Sequence, residues 1–540
     1  TQSGMFSSDI TMSQRSLPMA YMVSAGNQAV LGQEDFLEFF ADDPAVRAIG
    51  LHIEGLQDIP RFERAAFKAL SKGIPVVVLK TGSSTIGSEL TVSHTGSLSG
   101  SAELYEALFA RSGIISVSNP SQFLETLKLL CVVGAPSGRR LAGFTCSGGG
   151  ATMLADYAEK IGLSFLPVDP AQEEDLAALL PKIATVSNPL DYTTPIWGQA
   201  DLTYPVFSKA VDAIEADSAV LVQDYPAAGL DSSKIYYQRD AVAFARATKE
   251  KGLPAAICAT LPENMDLETR QLLISEGVAP MQGIHETLNA ICTSAAWSQE
   301  RVRLLSEKLK PLLPALHKCE CVMATEDEGK KWLIANGFFV PEGSVVSASG
   351  VRKAADEVGY PVVLKMIGPL LAHKTEAGAI ALSLNDAEMV NAAVAQMKLD
   401  VVAFNPNAIT NQFLVEAMSP TPVAELIVTL RRDPQFGMAL VLGSGGVLVE
   451  LVADTTTLLL PTSTVEITRA LLGLRVGRLL EGFRGGATVD IHKIAAQIYQ
   501  MCIAYIENCH AIVEIEINPL FVYSEKICAV DALVHMAAEG

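Results

Sequence analysis

The sequence predicts an α/β protein: two doubly wound units followed by a third unit of mixed α+β character. Three observations carry this expectation. The chain has 540 residues, which suits about three or four domains. Up to residue 300, short buried strand-like runs alternate with helical runs, and such alternation implies a parallel sheet with helices on both faces. From residue 319 hairpin-like strands enter the pattern, which departs from a doubly wound sheet.

The elements follow in order. In residues 1–135, Ala48–Ile53 and Pro75–Lys80 read as buried strands, and Ile59–Ser71 and Ala102–Ser112 as helices, the second closed by Gly113. The pattern restarts near Arg140. Leu141–Cys146 is a short strand, followed by Ser147-Gly148-Gly149-Gly150 and a helix to about Ile161. Ala219–Gln223 and Ala255–Thr260 read as further strands of this second unit, residues 136–300. Residues 301–318 are charged, helical and interrupted by Pro311 and Pro314, and read as a linker. Residues 319–540 carry a helix near Asp327–Asn336, a strand at Pro361–Met366 and hairpin-like strands around Gly443–Gly446. They end in paired strands at Ala511–Val522 and Ile527–Leu533.

Composition narrows the function. Hydrophobic residues make up 49% of the chain and mean hydropathy is +0.29, enough material for several cores. Net charge is −20, from 40 basic and 60 acidic residues, with no basic stripe interleaved with aromatics; nucleic-acid binding is not expected. No apolar run approaches the roughly 18 residues of a membrane span, and the opening residues lack a secretion-signal pattern. The nine cysteines are scattered without zinc-site spacing, which reads as reduced thiols and a cytoplasmic location. Thr1 opens directly on the turn Thr1-Gln2-Ser3-Gly4, so we expect an upstream segment.

The most informative stretch is Ser93-His94-Thr95-Gly96-Ser97-Leu98-Ser99-Gly100-Ser101. Small residues surround one imidazole and leave it accessible. Alone, this reads more simply as a loop histidine with local hydrogen bonds. Two other features change that reading. Gln2-Ser3-Gly4 and Ser147-Gly148-Gly149-Gly150 each open a helix, and helix N-termini present free N–H groups and partial positive charge to phosphate. Two such starts with an exposed histidine suit a phosphorylated imidazole, since histidine is a competent nucleophile near neutral pH.

At these residues the chain resembles the NDP-forming acyl-CoA synthetases, relatives of succinyl-CoA synthetase. His94-Thr95-Gly96-Ser97-Leu98 is similar to that family's phosphohistidine loop, and the turns at Ser3-Gly4 and Ser147-Gly148-Gly149 to its two phosphate-binding helix starts. The resemblance implies two flavodoxin-like domains followed by an ATP-grasp domain. It also implies that Glu54 orients the histidine; by itself Glu54 reads equally as a solvated carboxylate at a strand end. Ser187-Asn188-Pro189-Leu190-Asp191 resembles a family turn and is read as an Asn-Pro turn without catalysis.

The third unit extends the resemblance. Lys365 ends a strand, and with His373-Lys374-Thr375-Glu376-Ala377-Gly378 it resembles the family's ATP-grasp half. By that likeness Lys365 grips phosphates, and His373 takes phosphate at the nucleotide and relays it to His94. The same likeness makes Glu416, Glu425 and Arg484 nucleotide contacts. It makes Asn518 and Asp531 the magnesium ligands and Glu516 the carboxylate that steadies the histidine at the nucleotide end. One amide oxygen and one carboxylate suffice for magnesium, which keeps several waters. His52 and the other histidines lack partner spacing and read as structural or surface residues.

The implied function is ADP-forming acid–CoA ligation, with ATP, Mg2+ and coenzyme A as cofactor and substrates, and an acyl phosphate on the path. The family's CoA-binding domain has no counterpart in this chain, so it is expected upstream or on a partner chain, and a homo-oligomer is expected. Two other readings stay open: a lyase or transferase that uses the same relay to activate its acid, and a non-catalytic nucleotide-sensing subunit. The acid is not named by the sequence; Tyr105, Tyr192 and Trp197 fit either an aromatic pocket or a core.

Overall fold

The computed structural model describes residues 1–84, 86, 101–227, 229–230, 232–317, 319–371, 374–446 and 454–538. They form two compact units. The first comprises Thr1–Ala102 and Leu108–Lys308, the second Glu103–Ala107 and Leu309–Gly540. Among the described residues, no helix is long and apolar enough to cross a membrane.

The first unit contains two parallel sheets. Strands β1 (Ile49–Ile53), β2 (Val76–Lys80) and β3 (Ile115–Val117) lie in the order β1-β2-β3. The run Val76-Val77-Val78-Leu79 is β-branched or aliphatic and wholly buried, as a strand covered on both faces requires. The helix Ile59–Ser71 links β1 to β2. Asp58 caps it by accepting from the Arg61 amide at 2.9 Å, and Phe62, Ala65, Ala66, Ala69 and Leu70 form its buried face. The second sheet comprises β4 (Leu141–Thr145), β5 (Leu190–Asp191), β6 (Ser218–Val222), β7 (Ala255–Ala259) and β8 (Ala279–Gln282), ordered β5-β4-β6-β7-β8. Phe144 of β4 packs edge-on against Phe207 and Phe244, at 5.5 Å from each ring. The alternation read from sequence therefore produces the expected parallel sheets.

One buried ionic knot joins the two sheets. Glu125 and Lys128, on the helix Pro120–Val132, are fully buried and 3.0 Å apart. Glu125 also accepts from Arg15 at 2.8 Å and from the Gln282 amide of β8 at 2.9 Å. The helix Ile284–Glu307 then runs for 24 residues. Residues 301–307, read from sequence as linker, continue this helix. Arg303 pairs with both Glu300 and Glu307, Leu304 is buried, and Arg301 donates to the Leu70 carbonyl at 2.8 Å. The charge density there is a helix face, and the helix ends at Glu307.

The second unit contains β9 (Cys321–Met323), β10 (Gly343–Ser347), β11 (Val362–Met366), β12 (Ile380–Leu384), β13 (Gln412–Ala417), β14 (Ala424–Asp433), β15 (Gly437–Ser444), β16 (Thr455–Leu459), β17 (Ile512–Val522), β18 (Ile527–Ala529) and β19 (Ala532–Ala537). A smaller antiparallel sheet has the order β10-β13-β11-β12. A larger one runs β16-β15-β14-β17-β19-β9, with β18 also on β17. The helix Ile491–Glu507 buries Ile494, Ile498, Met501 and Tyr505 in the core of the larger sheet. The hairpin strands expected around Gly443–Gly446 are β15 and β16, paired from Ala439–Leu459 to Gly443–Thr455.

Candidate active site

In the first unit, Ser3 caps the helix Gly4–Met12, its hydroxyl accepting from the Phe6 amide at 3.2 Å. Helix geometry leaves the Gly4 and Met5 N–H groups without an intrahelical acceptor. This turn is tied to the end of β1. The Gln2 side-chain oxygen accepts from the backbone amides of Glu54, at 2.5 Å, and Gly55, at 3.0 Å. Lys80, at the end of β2, donates to the Glu54 carbonyl at 3.0 Å. The Glu54 backbone and the Ser3-Gly4 turn therefore meet at the end of β1. Burial pushes the Lys80 ammonium down to about 8, with Glu54 opposing. His52 on β1 is buried against Phe6, its Nε2 3.1 Å from the Thr81 hydroxyl. Burial, the N-terminal charge and Lys80 push it down to about 4.

The second glycine turn lies between β4 and the helix Gly148–Ile161. Ser147 has extended backbone and makes no capping bond through its side chain. Gly148 and Gly149 are exposed. Gly150 is required by packing, because a Cβ there would lie 2.6 Å from the Thr145 hydroxyl. Asp191 of β5 pairs with Thr145, and its carboxylate accepts from the Thr193 amide at 3.0 Å. Asn188 accepts from the Gly143 amide and donates to the Leu141 and Leu166 carbonyls, each at 2.9 Å. These three bonds tie the turn to β4 and to the segment that holds Leu166. Tyr192 is fully buried beside Phe207, with its hydroxyl on Asp240, so it is a core residue rather than a pocket wall.

In the second unit six charged side chains converge. Lys365 of β11 is fully buried, 2.5 Å from Glu326 Oε1 and 3.1 Å from Glu416 Oε2. Lys330 contacts the same two carboxylates, Glu326 at 2.8 Å and Glu416 more closely. Both lysines donate to the Val530 carbonyl, at 2.8 and 2.9 Å. Lys374 joins Glu326, at 3.0 Å, to Asp531, at 3.1 Å. Burial acts to raise the Glu326 carboxyl, but Lys365, Lys330 and Lys374 hold it well below the usual carboxylate range. Burial likewise acts to lower Lys365, and Glu326, Asp531 and Glu416 outweigh it and raise it. The cluster thus sets three lysines against three carboxylates.

A second corner of this unit gathers around Gly446. Its φ is +80° and a Cβ there would strike the Glu425 carboxylate. The Gly446 amide donates to Asn518 Oδ1 at 3.1 Å, and the Gly445 amide to the Glu425 carbonyl at 2.8 Å. Asn518 and Asp531 lie immediately beyond the Ile517–Ala532 pair of β17 and β19. They supply one amide oxygen and one carboxylate, a donor set that fits magnesium. The Asp531 carboxylate is paired with the Lys374 ammonium at 3.1 Å. Among the described residues, no group of three or more His, Cys, Asp or Glu side chains is arranged for a metal. Glu516 lies on β17 opposite Thr429 and Leu533. Arg484 stands apart in the short turn Phe483–Gly485, exposed and 5.1 Å over the Phe483 ring.

His94 and His373 both lie outside the described residues. Sequence reasoning missed Glu326, Lys330 and Lys374 as site residues. A signal was present for the first two. Thr325 and Glu328 form a capping box that starts the helix at Glu326, and Glu326 and Lys330 are spaced to pair along it.

Comparison with known proteins adds to this geometry. The family model of the succinyl-CoA ligase-like flavodoxin domain matches residues 1–130, and that of the ATP-grasp domain matches residues 318–536. An ADP-forming acetate–CoA ligase I of Archaeoglobus fulgidus is 30% identical over 524 residues, 94% of this chain and 73% of the relative. Trans-feruloyl-CoA synthase FCS1, from an unknown prokaryotic organism, is 28% identical over 96% of this chain and 73% of its own length. Among solved structures, a Ca. Korarchaeum cryptofilum acetyl-coenzyme A synthetase 1 chain, in complex with coenzyme A, is similar. It is 32% identical and covers 40% of this chain and 93% of that one, with a TM-score of 0.38. Flavodoxin-like and ATP-grasp domains, a paired lysine–carboxylate site and the sequence likeness over nearly the whole chain agree: the chain belongs to the ADP-forming acyl-CoA ligases.

Proposed function

We propose that the protein joins a carboxylic acid to coenzyme A with conversion of ATP to ADP and phosphate, and that His373 and His94 carry the phosphoryl group in turn. The observation that carries this reading is the buried cluster around Lys365, next to Asn518 and Asp531 in the ATP-grasp domain. Lys374, whose partner Asp531 is open to water, suits a polyphosphate, and the oxygen donors of Asn518 and Asp531 suit the magnesium that accompanies one. Bound magnesium supplies charge neutralisation on the phosphates, and Asn518 and Asp531 are the residues that would hold it.

In this reading a His373 ring nitrogen attacks the γ-phosphorus, and the bond to the ADP oxygen breaks. The phosphoryl group then passes to His94, and the amides of the Ser3-Gly4 and Ser147-Gly148-Gly149 turns suit its oxygens. Glu54, fixed by Gln2 and Lys80 at the edge of that turn, orients His94. Glu516 has the same role for His373, while Glu416, Glu425 and Arg484 serve the nucleotide. A carboxylate oxygen of the acid attacks next, forming an acyl phosphate and freeing the imidazole. The thiolate of coenzyme A then attacks the acyl carbon, and phosphate leaves.

The reading includes three domains, at 1–135, 136–300 and 319–540. It includes a cytoplasmic location, with the nine thiols unpaired, and a CoA-binding region upstream or on a partner chain in a homo-oligomer. The acid is open, because the relatives named above act on acids as unlike as acetate and ferulate.

The test is product analysis with a panel of acids in the presence of Mg-ATP. ADP release that requires both an acid and coenzyme A, with acyl-CoA formed in equal amount, is expected. Release of AMP, or an acid-derived product without a thioester, contradicts ligation.

A further inference from the structure

Lys374 bridges two carboxylates that differ in access to solvent. Its Nζ lies 3.0 Å from Glu326 Oε2, and 3.1 and 3.4 Å from the two oxygens of Asp531. The Glu326 side chain is 2% exposed and that of Asp531 is 27% exposed. Lys330 and Lys365 are fixed differently. Each contacts Glu326, Glu416 and the Val530 carbonyl, all inside the unit. Of the three lysines in this cluster, Lys374 is the one with an acidic partner open to water.

Asp531 is also the carboxylate assigned to magnesium in the proposed function, and the role of Lys374 rests on that assignment. In the cluster three lysines already face three carboxylates without a metal. A divalent cation on Asp531 would face the Lys374 ammonium across a few ångströms, where like charges repel strongly. Both cations are tolerated together only when anionic charge arrives with the metal, and a polyphosphate chain supplies it. A lysine suits such an exchange, because a compact ammonium on a flexible stem can change partners while keeping one of them.

We propose that Lys374 is a placeholder cation: it holds the Asp531 carboxylate while nucleotide is absent, and yields it to magnesium when Mg-nucleotide binds, turning to the phosphates while retaining Glu326. Lys374 is then a positioning residue that keeps bare metal off the site and hands a charge to the nucleotide.

The test uses Mn2+ alone as the probe, on nucleotide-free protein, with binding read from loss of the free-ion electron paramagnetic resonance signal. Lys374→Gln is expected to bind Mn2+ about fivefold more tightly than the natural protein, the effect of removing one like charge from a water-screened corner. Lys374→Gln/Asp531→Asn is expected to lose that gain. Lys374→Arg, which keeps the charge and grips a carboxylate with two donors, is expected to bind Mn2+ more weakly than the natural protein, and it decides the matter if the glutamine variant does not fold. Unchanged or weaker Mn2+ binding in Lys374→Gln, or unchanged or tighter binding in Lys374→Arg, overturns the placeholder role alone. A double variant that binds Mn2+ as tightly as Lys374→Gln overturns the assignment of metal to Asp531 and the placeholder with it.

Discussion

Lys365 and Glu326, 39 positions apart in sequence, form an ion pair of 2.5 Å in which neither side chain reaches solvent. A buried pair of this kind adds little stability over an apolar one, but losing one partner strands a charge. Each charge of the pair is therefore compensated by the other rather than by water. Glu326 also compensates Lys330 and Lys374, so its removal is the most disruptive single change in the cluster.

Glu326→Gln is expected to destabilise the protein by about 3–5 kcal/mol in urea unfolding at pH 7. Lys331→Ala, which breaks the exposed pair with Asp327, is expected to cost less than about 1 kcal/mol. The folded-state pKa of Glu326 is depressed, so its stabilising contribution is present above the ordinary carboxylate value, near ~4.3, and fades as pH falls below it. The gap between the natural protein and the variant should narrow accordingly. An equal gap at pH 7 and in strong acid would contradict the assignment of charge.

His52 gives the first unit a separate acid sensitivity. Its folded-state value of about 4 lies below that of a free histidine, about 6.5. The unfolded chain therefore takes up a proton first as pH falls, and stability is lost between those two values. A proton NMR titration should find one imidazole still neutral at pH 5. In His52→Gln the slope of stability against pH in that window should drop by about one proton; an unchanged slope removes His52 as the cause.

Gly446→Ala tests the corner that holds Asn518 and Glu425. The positive φ penalises alanine, and its Cβ meets the Glu425 carboxylate. Gly359 has a similar φ of +88°, with open space around it, so Gly359→Ala carries the strain alone. Calorimetric Mg-ADP affinity is expected to fall about tenfold in Gly446→Ala, a loss of about 1.4 kcal/mol, and to stay unchanged in Gly359→Ala. Equal losses in both would mean that backbone strain, not the Glu425–Asn518 corner, sets the affinity.

Local pattern made much of the fold legible in the sequence. Val76–Lys80 and Ile59–Ser71 announce themselves by β-branched runs and by a cap followed by periodic burial. The glycine turns at Gly4 and Gly148 fall at helix starts as read. The tail of the helix Ile284–Glu307 was hidden because its charges pair along the helix at three- and four-residue spacing and resemble a solvated linker. The lysine cluster was hidden for another reason. Lys330 meets Glu416 across 86 positions and Lys374 meets Asp531 across 157, and such pairings depend on how the two sheets of the second unit close, not on any local run. Starting the helix at Asp327 rather than Glu326 also left its most connected carboxylate outside the element.

The most direct test is to locate the phosphoryl group. The protein is treated with γ-labelled Mg-ATP, quenched under alkaline conditions that preserve phosphohistidine, and its peptides are mapped by mass spectrometry. The expected result is phosphate on His94 and His373 in the natural protein, on His373 alone in His94→Ala, and on neither in His373→Ala. Nucleotide-treated protein whose phosphate sits on another side chain, or on no side chain at all, would contradict the relay.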